Sequence, residues 1–88
     1  MVKFQHGAIV VTRTAAERIP EMVMAAALLR HLNGDWGDVS EADRAVNDRA
    51  VRDGDKLLSA YHAPDQMHFW IITEADRFAT TALPPCDY

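Results

Sequence analysis

The sequence predicts an α+β protein in which two helices pack on a mainly antiparallel sheet of about four strands, in the order β-α-α-β-β-β. Three observations support this prediction. Three short runs rich in β-branched and aromatic residues lie between Lys56 and Leu83, and two four-residue breaks separate them. Two upstream segments carry apolar residues at helical spacing, and a glycine follows each of them. One more β-type run lies near the amino terminus.

The amino-terminal third is expected to form a strand and the main helix. The run GAIVVT over 7–12 predicts a strand. Thr14 and Glu17 have capping-box spacing, which predicts a short helical turn over 14–18 that begins at Ala15. Proline is tolerated at the first position of a helix, so the main helix is expected over 20–32. On this helix, three- and four-residue spacings predict a buried stripe at Met22, Ala25, Ala26, Leu29 and Leu32.

The middle of the chain predicts a second helix, with a glycine before it and another directly after it. Gly34 is expected to end the first helix in the left-handed conformation, and a turn-rich loop follows over 35–38. Ser40 is a suitable N-cap for a helix over 41–53, and Gly54 is expected to end it.

The carboxyl-terminal third predicts a three-stranded antiparallel meander. The core is expected to contain Leu58, Trp70 and Ile72, or their alternates along each strand, together with Leu29 and Leu32. Both faces of the central run 69–72 are apolar, so the sequence leaves open which face the helices cover. The other face would then be covered by a second subunit or exposed as an apolar patch for a partner. We therefore predict a homodimer or a partner complex.

Composition limits the class of protein. The 88 residues are expected to form one domain, 1–88, and 49% of them are hydrophobic. The net charge of −4 and the absence of a basic stripe argue against direct binding of nucleic acid. No apolar run approaches the length of a membrane span, and no signal-peptide core is present, so we expect a cytoplasmic protein. The single cysteine, Cys86, allows no internal disulfide.

The charge is concentrated in one region. Residues 34–55 contain seven acids and three arginines, a net of −4, and the remaining six acids and six bases cancel. A docking surface for a basic partner is one interpretation, and a solvated helix with capping aspartates and a tryptophan plug is the other. The spacing of the acids does not match a calcium loop, and no metal site or cofactor is predicted. The partner-binding residues of the first interpretation are Asp35, Trp36, Asp38, Asp43, Asp48 and Asp53.

The four histidines show no zinc-binding spacing, but one of them suggests an alternative, catalytic function. If the end of the first helix packs over the last strand, His31, Arg77, Thr80 and Thr81 would converge. Such a set could cleave RNA without a metal, with histidine moving a proton and arginine stabilising the phosphorane. The element order is similar to that of barnase–RelE-like ribonuclease toxins. In the structural alternative, His31 caps the helix, Arg77 pairs with a nearby acid and the threonines only form strand.

The two remaining histidines of the carboxyl-terminal third lie on neighbouring predicted strands. His62 and His68 are expected to face each other across a hairpin.

Several segments resemble a family of small bacterial proteins from plasmids and other mobile elements, often labelled "type I restriction endonuclease subunit M". The matching segments are GDWGD (34–38), Asp43-Arg44, Asn47-Asp48, LLSAY (57–61), WIITEADR (70–77) and TTALP (80–84), with a terminal Tyr88. The resemblance covers roughly 30–88; the alanines and methionines of 22–27 depart from it. The sequence lacks the glycine-rich turn after a strand that a methyltransferase cofactor needs. The resemblance therefore implies a mobile-element setting without an established activity.

Together with this resemblance, the sequence predicts a non-enzymatic interaction protein of a mobile element. An inhibitor of a host restriction or CRISPR complex, acting through the acidic helix, is the leading interpretation. The alternative is the metal-free ribonuclease that uses His31, Arg77 and Thr80.

Overall fold

The computed structural model describes residues 2–88, and within them three helices pack with a four-stranded mixed sheet. The predicted α+β class and the order β-α-α-β-β-β are confirmed, and the short turn predicted over 14–18 is a third helix. The elements are β1 (Ala8–Val11), α1 (Arg13–Arg18), α2 (Glu21–Leu32), α3 (Glu41–Asp53), β2 (Leu57–His62), β3 (His68–Thr73) and β4 (Ala79–Leu83), followed by a 3-10 turn at Pro85–Asp87.

The sheet has the strand order β1-β4-β3-β2. β2, β3 and β4 form the predicted antiparallel meander, with Ala60 opposite Trp70 and Ile72 opposite Thr81. β1 instead pairs in parallel with β4, because the chain passes over the sheet through the helices before it returns. β1 and β2 are therefore the two edges of the sheet.

The helix boundaries follow local capping. Ser40 Oγ accepts the Asp43 N–H over 3.1 Å, and Gly54 ends α3 at a φ of +78°, as the sequence predicts. α1 begins earlier than predicted, because the cap is Thr12, whose Oγ1 accepts the Ala15 N–H over 3.3 Å. The predicted capping box of Thr14 with Glu17 is therefore wrong. Thr12 directly follows β1, so the chain passes from strand into helix without a loop.

The helices cover the face of the sheet that carries Leu57, Tyr61, Phe69, Ile71 and Ala82, all of which are buried. α2 contributes Met24 and Ala27 to this core. α1 contributes Ala15, and Ile19, which directly follows α1, is also part of the core. A second, smaller cluster joins Trp36, Ala50 and Leu57 beside α3.

The predicted buried stripe of α2 is wrong. The buried residues of α2 are Met24, Ala27 and His31, whereas Met22 and Leu29 are 85% and 62% exposed. Leu32 is only half-buried. The helix is apolar on nearly every side, so spacing alone did not identify the face that packs on the sheet.

The opposite face of the sheet is largely covered by the chain itself. Ile72 and Leu83 are buried there, and Leu58 and Trp70 are half-buried. The carboxyl-terminal segment packs on this face, with the Tyr88 ring 5.5 Å from that of Trp70 and its hydroxyl 2.8 Å from Lys56 Nζ. The structure therefore does not leave a large sheet face uncovered for a partner.

Candidate functional site

A chain of buried polar side chains connects α2 to the centre of the sheet. His31 Nδ1 lies 2.5 Å from Ser59 Oγ, and its Nε2 lies 2.9 Å from Thr73 Oγ1. Thr73 Oγ1 lies 2.8 Å from Thr80 Oγ1, and the Thr80 hydroxyl donates to the backbone carbonyl of His6 over 2.8 Å. All four side chains are fully buried, and each of them is hydrogen-bonded within this network.

The carbonyl at the end of this chain sets the direction of each hydrogen bond. Thr80 has one proton and gives it to the His6 carbonyl, so Thr73 must donate to Thr80. The proton of Thr73 is then used, and His31 must donate to Thr73 from Nε2. His31 Nδ1 is left as the acceptor of the Ser59 hydroxyl. The network therefore specifies a neutral His31 with its proton on Nε2.

The surroundings of His31 keep the imidazole uncharged. The ring meets the rings of Phe4 and Trp36 edge-on, at centroid distances of 5.3 Å and 5.6 Å. Burial lowers the pKa of His31 to about 4, because no carboxylate compensates for the lost hydration. A histidine in this state is a neutral, hydrogen-bonded part of the core.

The four residues of the ribonuclease alternative do not line one cleft. His31 and Thr80 are enclosed in the core, and Thr81 lies on the opposite face of the sheet, paired with Ile72. Arg77 donates to the carbonyls of Ala50 and Asp55, over 3.0 Å and 2.7 Å. Its guanidinium is therefore occupied with the end of α3. The predicted convergence is therefore wrong for Arg77 and Thr81. His31 and Thr80 are linked through Thr73, and both are buried.

Trp36, the central residue of the predicted docking loop, is 1% exposed. Its ring stacks on Phe4 at a centroid distance of 6.2 Å, and its Nε1–H donates to Asp48 Oδ1 over 2.9 Å. Trp36 is thus the plug between helices and sheet that the structural interpretation predicted. It cannot contact a partner in this conformation.

The aspartates around Trp36 also have partners within the chain. Asp35 Oδ2 lies 2.8 Å from Arg30 Nε, and this hydrogen bond holds the pKa of Asp35 below its usual value. Asp38 Oδ2 lies 2.8 Å from His62 Nδ1. His62 in turn faces His68 across the β2–β3 hairpin, as predicted. In the described part of the chain, no three His, Cys, Asp or Glu side chains form a group that could hold a metal ion.

The three aspartates of α3 do not share one face. Asp43, Asp48 and Asp53 are five residues apart, so each step turns about 140° around a helix of 3.6 residues per turn. α3 itself contains four acids and three arginines, so most of the regional charge comes from Asp35, Asp38 and Asp55 in the flanking loops. The predicted acidic face is therefore a mixed surface.

The outer side of α2, which the sequence predicts to be buried, is an exposed apolar surface. Its residues Met22, Ala25, Ala26 and Leu29 recur at i, i+3, i+4 and i+7, and all four are exposed. We call these four residues the α2 stripe. A helix that is apolar all round is usually buried on every side. His31 is the residue from which the true packing face could have been predicted. Its imidazole can form hydrogen bonds with the hydroxyl groups of Ser59 and Thr73 on the sheet, which favours burial of that side of the helix.

The α2 stripe borders an apolar groove of about 420 Å³ between α1 and α2. The groove shares Ala25 with the stripe and is lined mainly by Val11, Ala16, Ile19, Met24 and Leu28. The stripe and the groove thus form one continuous apolar surface.

Comparison of the chain with protein-family models, curated proteins and solved structures finds no match. The resemblance to mobile-element proteins therefore stays a prediction. Across residues 2–88, no helix is long and apolar enough to cross a membrane.

Proposed function

We propose that this chain is a small non-enzymatic interaction protein, and that the α2 stripe binds in an apolar groove of another protein. The observation that supports the proposal is the exposure of Met22 and Leu29, at 85% and 62%. Anchors at i, i+3, i+4 and i+7 are the pattern by which an amphipathic helix binds in a groove.

The arrangement favours a protein partner with a groove that admits one helix face. Met22 and Leu29 stand two turns apart as large anchors, and the two alanines between them let another backbone approach closely. The adjoining groove between α1 and α2 would receive a side chain from the partner. Because α2 is already packed on the sheet through Met24 and Ala27, it docks as a preformed helix and loses little conformational entropy.

The proposal includes the mobile-element setting that the resemblance implies. Within that setting, we propose that the chain inhibits a host restriction or CRISPR complex. It changes the predicted docking residues, because Trp36 is buried and Asp48 is bonded to it. Among the predicted partner-binding residues, Asp43 and Asp53 are exposed on α3 and are the ones kept in the proposal as peripheral contacts.

The test compares matched serine variants of the full chain. Leu29→Ser and Met22→Ser each remove an anchor of the stripe, whereas Val46→Ser removes an exposed valine of α3 that is 57% exposed. A protein captured from a bacterial host lysate is purified, and its affinity for each chain is measured by calorimetry. We expect the two stripe variants to bind at least about 30-fold more weakly, as for a residue that contributes about 2 kcal/mol, and the control to bind normally. Equal binding by all four chains would refute the proposed surface.

The inhibitory activity has its own test. The chain is added to DNA cleavage reactions of a purified type I restriction complex and of a purified CRISPR effector. Inhibition by the parent chain that Leu29→Ser abolishes and Val46→Ser retains would support the setting. Undiminished cleavage in both reactions would remove these two targets and leave the docking surface to be judged by calorimetry.

A further inference from the structure

The two edges of the sheet differ in whether other parts of the protein form hydrogen bonds to them. At the β2 edge, the Ala60 N–H donates to the Trp36 carbonyl over 3.0 Å, and the Asp38 N–H donates to the Ala60 carbonyl over 2.7 Å. The side chain of Asn47 completes this cover by bonding both the carbonyl and the N–H of Leu58, over 2.8 Å and 3.2 Å. The β2 edge is therefore closed to any further strand.

The β1 edge is open. The N–H groups of Ala8 and Thr12 donate to β4, to the carbonyls of Phe78 and Ala82. In a parallel pair, alternate residues point their backbone groups to the neighbour, so those of Ile9 and Val11 point away from the sheet. No side chain or backbone group among residues 2–88 bonds to them. An exposed apolar edge of this kind pairs readily with another strand.

We propose that the β1 edge binds β1 of a second copy of this chain, antiparallel across a two-fold axis, to give a continuous eight-stranded sheet. With Val10 opposite Val10 of the second copy, the Ile9 of each copy lies opposite the Val11 of the other. Both Ile9–Val11 pairs then exchange two hydrogen bonds, whereas the Val10 pair exchanges none. This register satisfies all the outward backbone groups of Ile9 and Val11. It also covers the side chains of Ile9 and Val10, each of which is 43% exposed and on opposite faces of the sheet.

Charge favours a second copy as the occupant. Residues 7–12 contain no charged side chain, so two identical strands approach without repulsion. The acidic region 34–55 lies at the far edge, where α3 packs beside β2. In an eight-stranded sheet the two β2 strands would be about 34 Å apart, given about 4.8 Å per strand, which exceeds the screening length of about 8 Å in physiological salt. Association through β1 thus keeps the net charge of −4 on each copy far from that of the other.

The mass of the full chain in solution, measured by sedimentation equilibrium over a range of concentrations, tests the inference. We expect a reversible dimer with twice the monomer mass of 9.8 kDa. Ile9→Pro removes an N–H that points away from β4, so it should leave the fold intact and weaken dimerisation by about tenfold or more. Val46→Lys, on α3, should dimerise normally.

A charge-swap pair tests the register directly. Val10→Lys and Val10→Asp should each fail to dimerise alone, because like charges would meet across the two-fold axis. An equimolar mixture of the two should recover a heterodimer. A parent chain that stays monomeric at every concentration would overturn the inference, as would dimers that Ile9→Pro and both Val10 variants leave unchanged. Loss of the dimer only in Leu29→Ser would also overturn it, and would show self-association through the α2 stripe.

Discussion

The indole Nε1–H of Trp36 donates to the carboxylate of Asp48 over 2.9 Å. This bond ties the loop before α3 to the middle of that helix. The sequence places both residues in a surface that binds another protein, whereas in the structure they form a hydrogen bond with each other. The acidic region therefore has a structural function in closing the β2 side of the molecule.

Replacing Asp48 with alanine should destabilise the fold. The change leaves the Trp36 N–H without its acceptor in a partly buried position, at a cost of about 1–2 kcal/mol in the free energy of unfolding. Asp53→Ala is the matched control, since Asp53 is exposed at the carboxyl-terminal end of α3, where a negative charge is not favoured. Urea unfolding followed by tryptophan fluorescence measures both. An Asp48→Ala protein as stable as the control would mean that the bond contributes nothing.

His31 should make stability depend on pH. Its pKa is about 4 in the folded protein, against 6.5 for an unperturbed histidine, so the unfolded chain binds a proton first as the pH falls. The contribution of His31 is complete above about pH 6.5 and is lost between there and about pH 4, by about 3 kcal/mol in total. Between pH 7 and pH 5 the parent should lose about 2 kcal/mol from this group.

His31→Gln supplies the comparison for this prediction, because glutamine retains polar atoms but does not titrate. Urea unfolding at both pH values should show a smaller loss of stability on acidification for this variant than for the parent. Identical pH profiles would contradict the assignment of His31 as a buried neutral group.

Sequence patterns predicted the fold well where a local rule decides the structure. Ser40 and Gly54 mark the ends of α3 by capping chemistry that does not depend on the rest of the chain. The meander followed from alternation and turn spacing. The failure at α2 has a physical cause: with Met22 and Met24 equally apolar on opposite sides, only tertiary contacts choose between them.

The candidate site was less predictable than the fold for the same reason. The sequence suggested that His31 and Thr80 would converge, and the structure links them only through Thr73. No sequence pattern indicates that link, or that Phe4 lies edge-on against the imidazole ring.

The β2 edge is closed by backbone bonds of Trp36 and Asp38 to Ala60. It is also closed by the Asn47 side chain on Leu58. Asn47 is 11 positions before Leu58, and no strand rule indicates this contact.

Asn47→Ala should therefore uncover the β2 edge. Leu58 would lose the partners of both its N–H and its carbonyl, which costs about 1–3 kcal/mol in the free energy of unfolding. Asn33→Ala is the control, because the Asn33 amide also bonds a carbonyl, that of Leu29, but at an exposed position. Amide hydrogen exchange should show faster exchange of the Leu58 N–H in Asn47→Ala only. Unchanged protection of that amide would show that the edge is held closed by other contacts.

Gly37→Ala should be far more damaging than Gly54→Ala, although both glycines have a left-handed backbone, with φ of +75° and +78°. A Cβ on Gly37 would lie only 2.1 Å from the carbonyl oxygen of Ala60, whereas one on Gly54 would meet nothing within 4 Å. Gly54→Ala should cost only the conformational strain of about 1–2 kcal/mol. Gly37→Ala adds a clash with backbone that cannot move without breaking the bridge between the loop and β2, and overpacking of this kind adds about 1–3 kcal/mol to the cost. Thermal and urea unfolding of the two variants measure the difference; equal losses would mean that the loop yields freely and that the β2 edge is not rigidly closed.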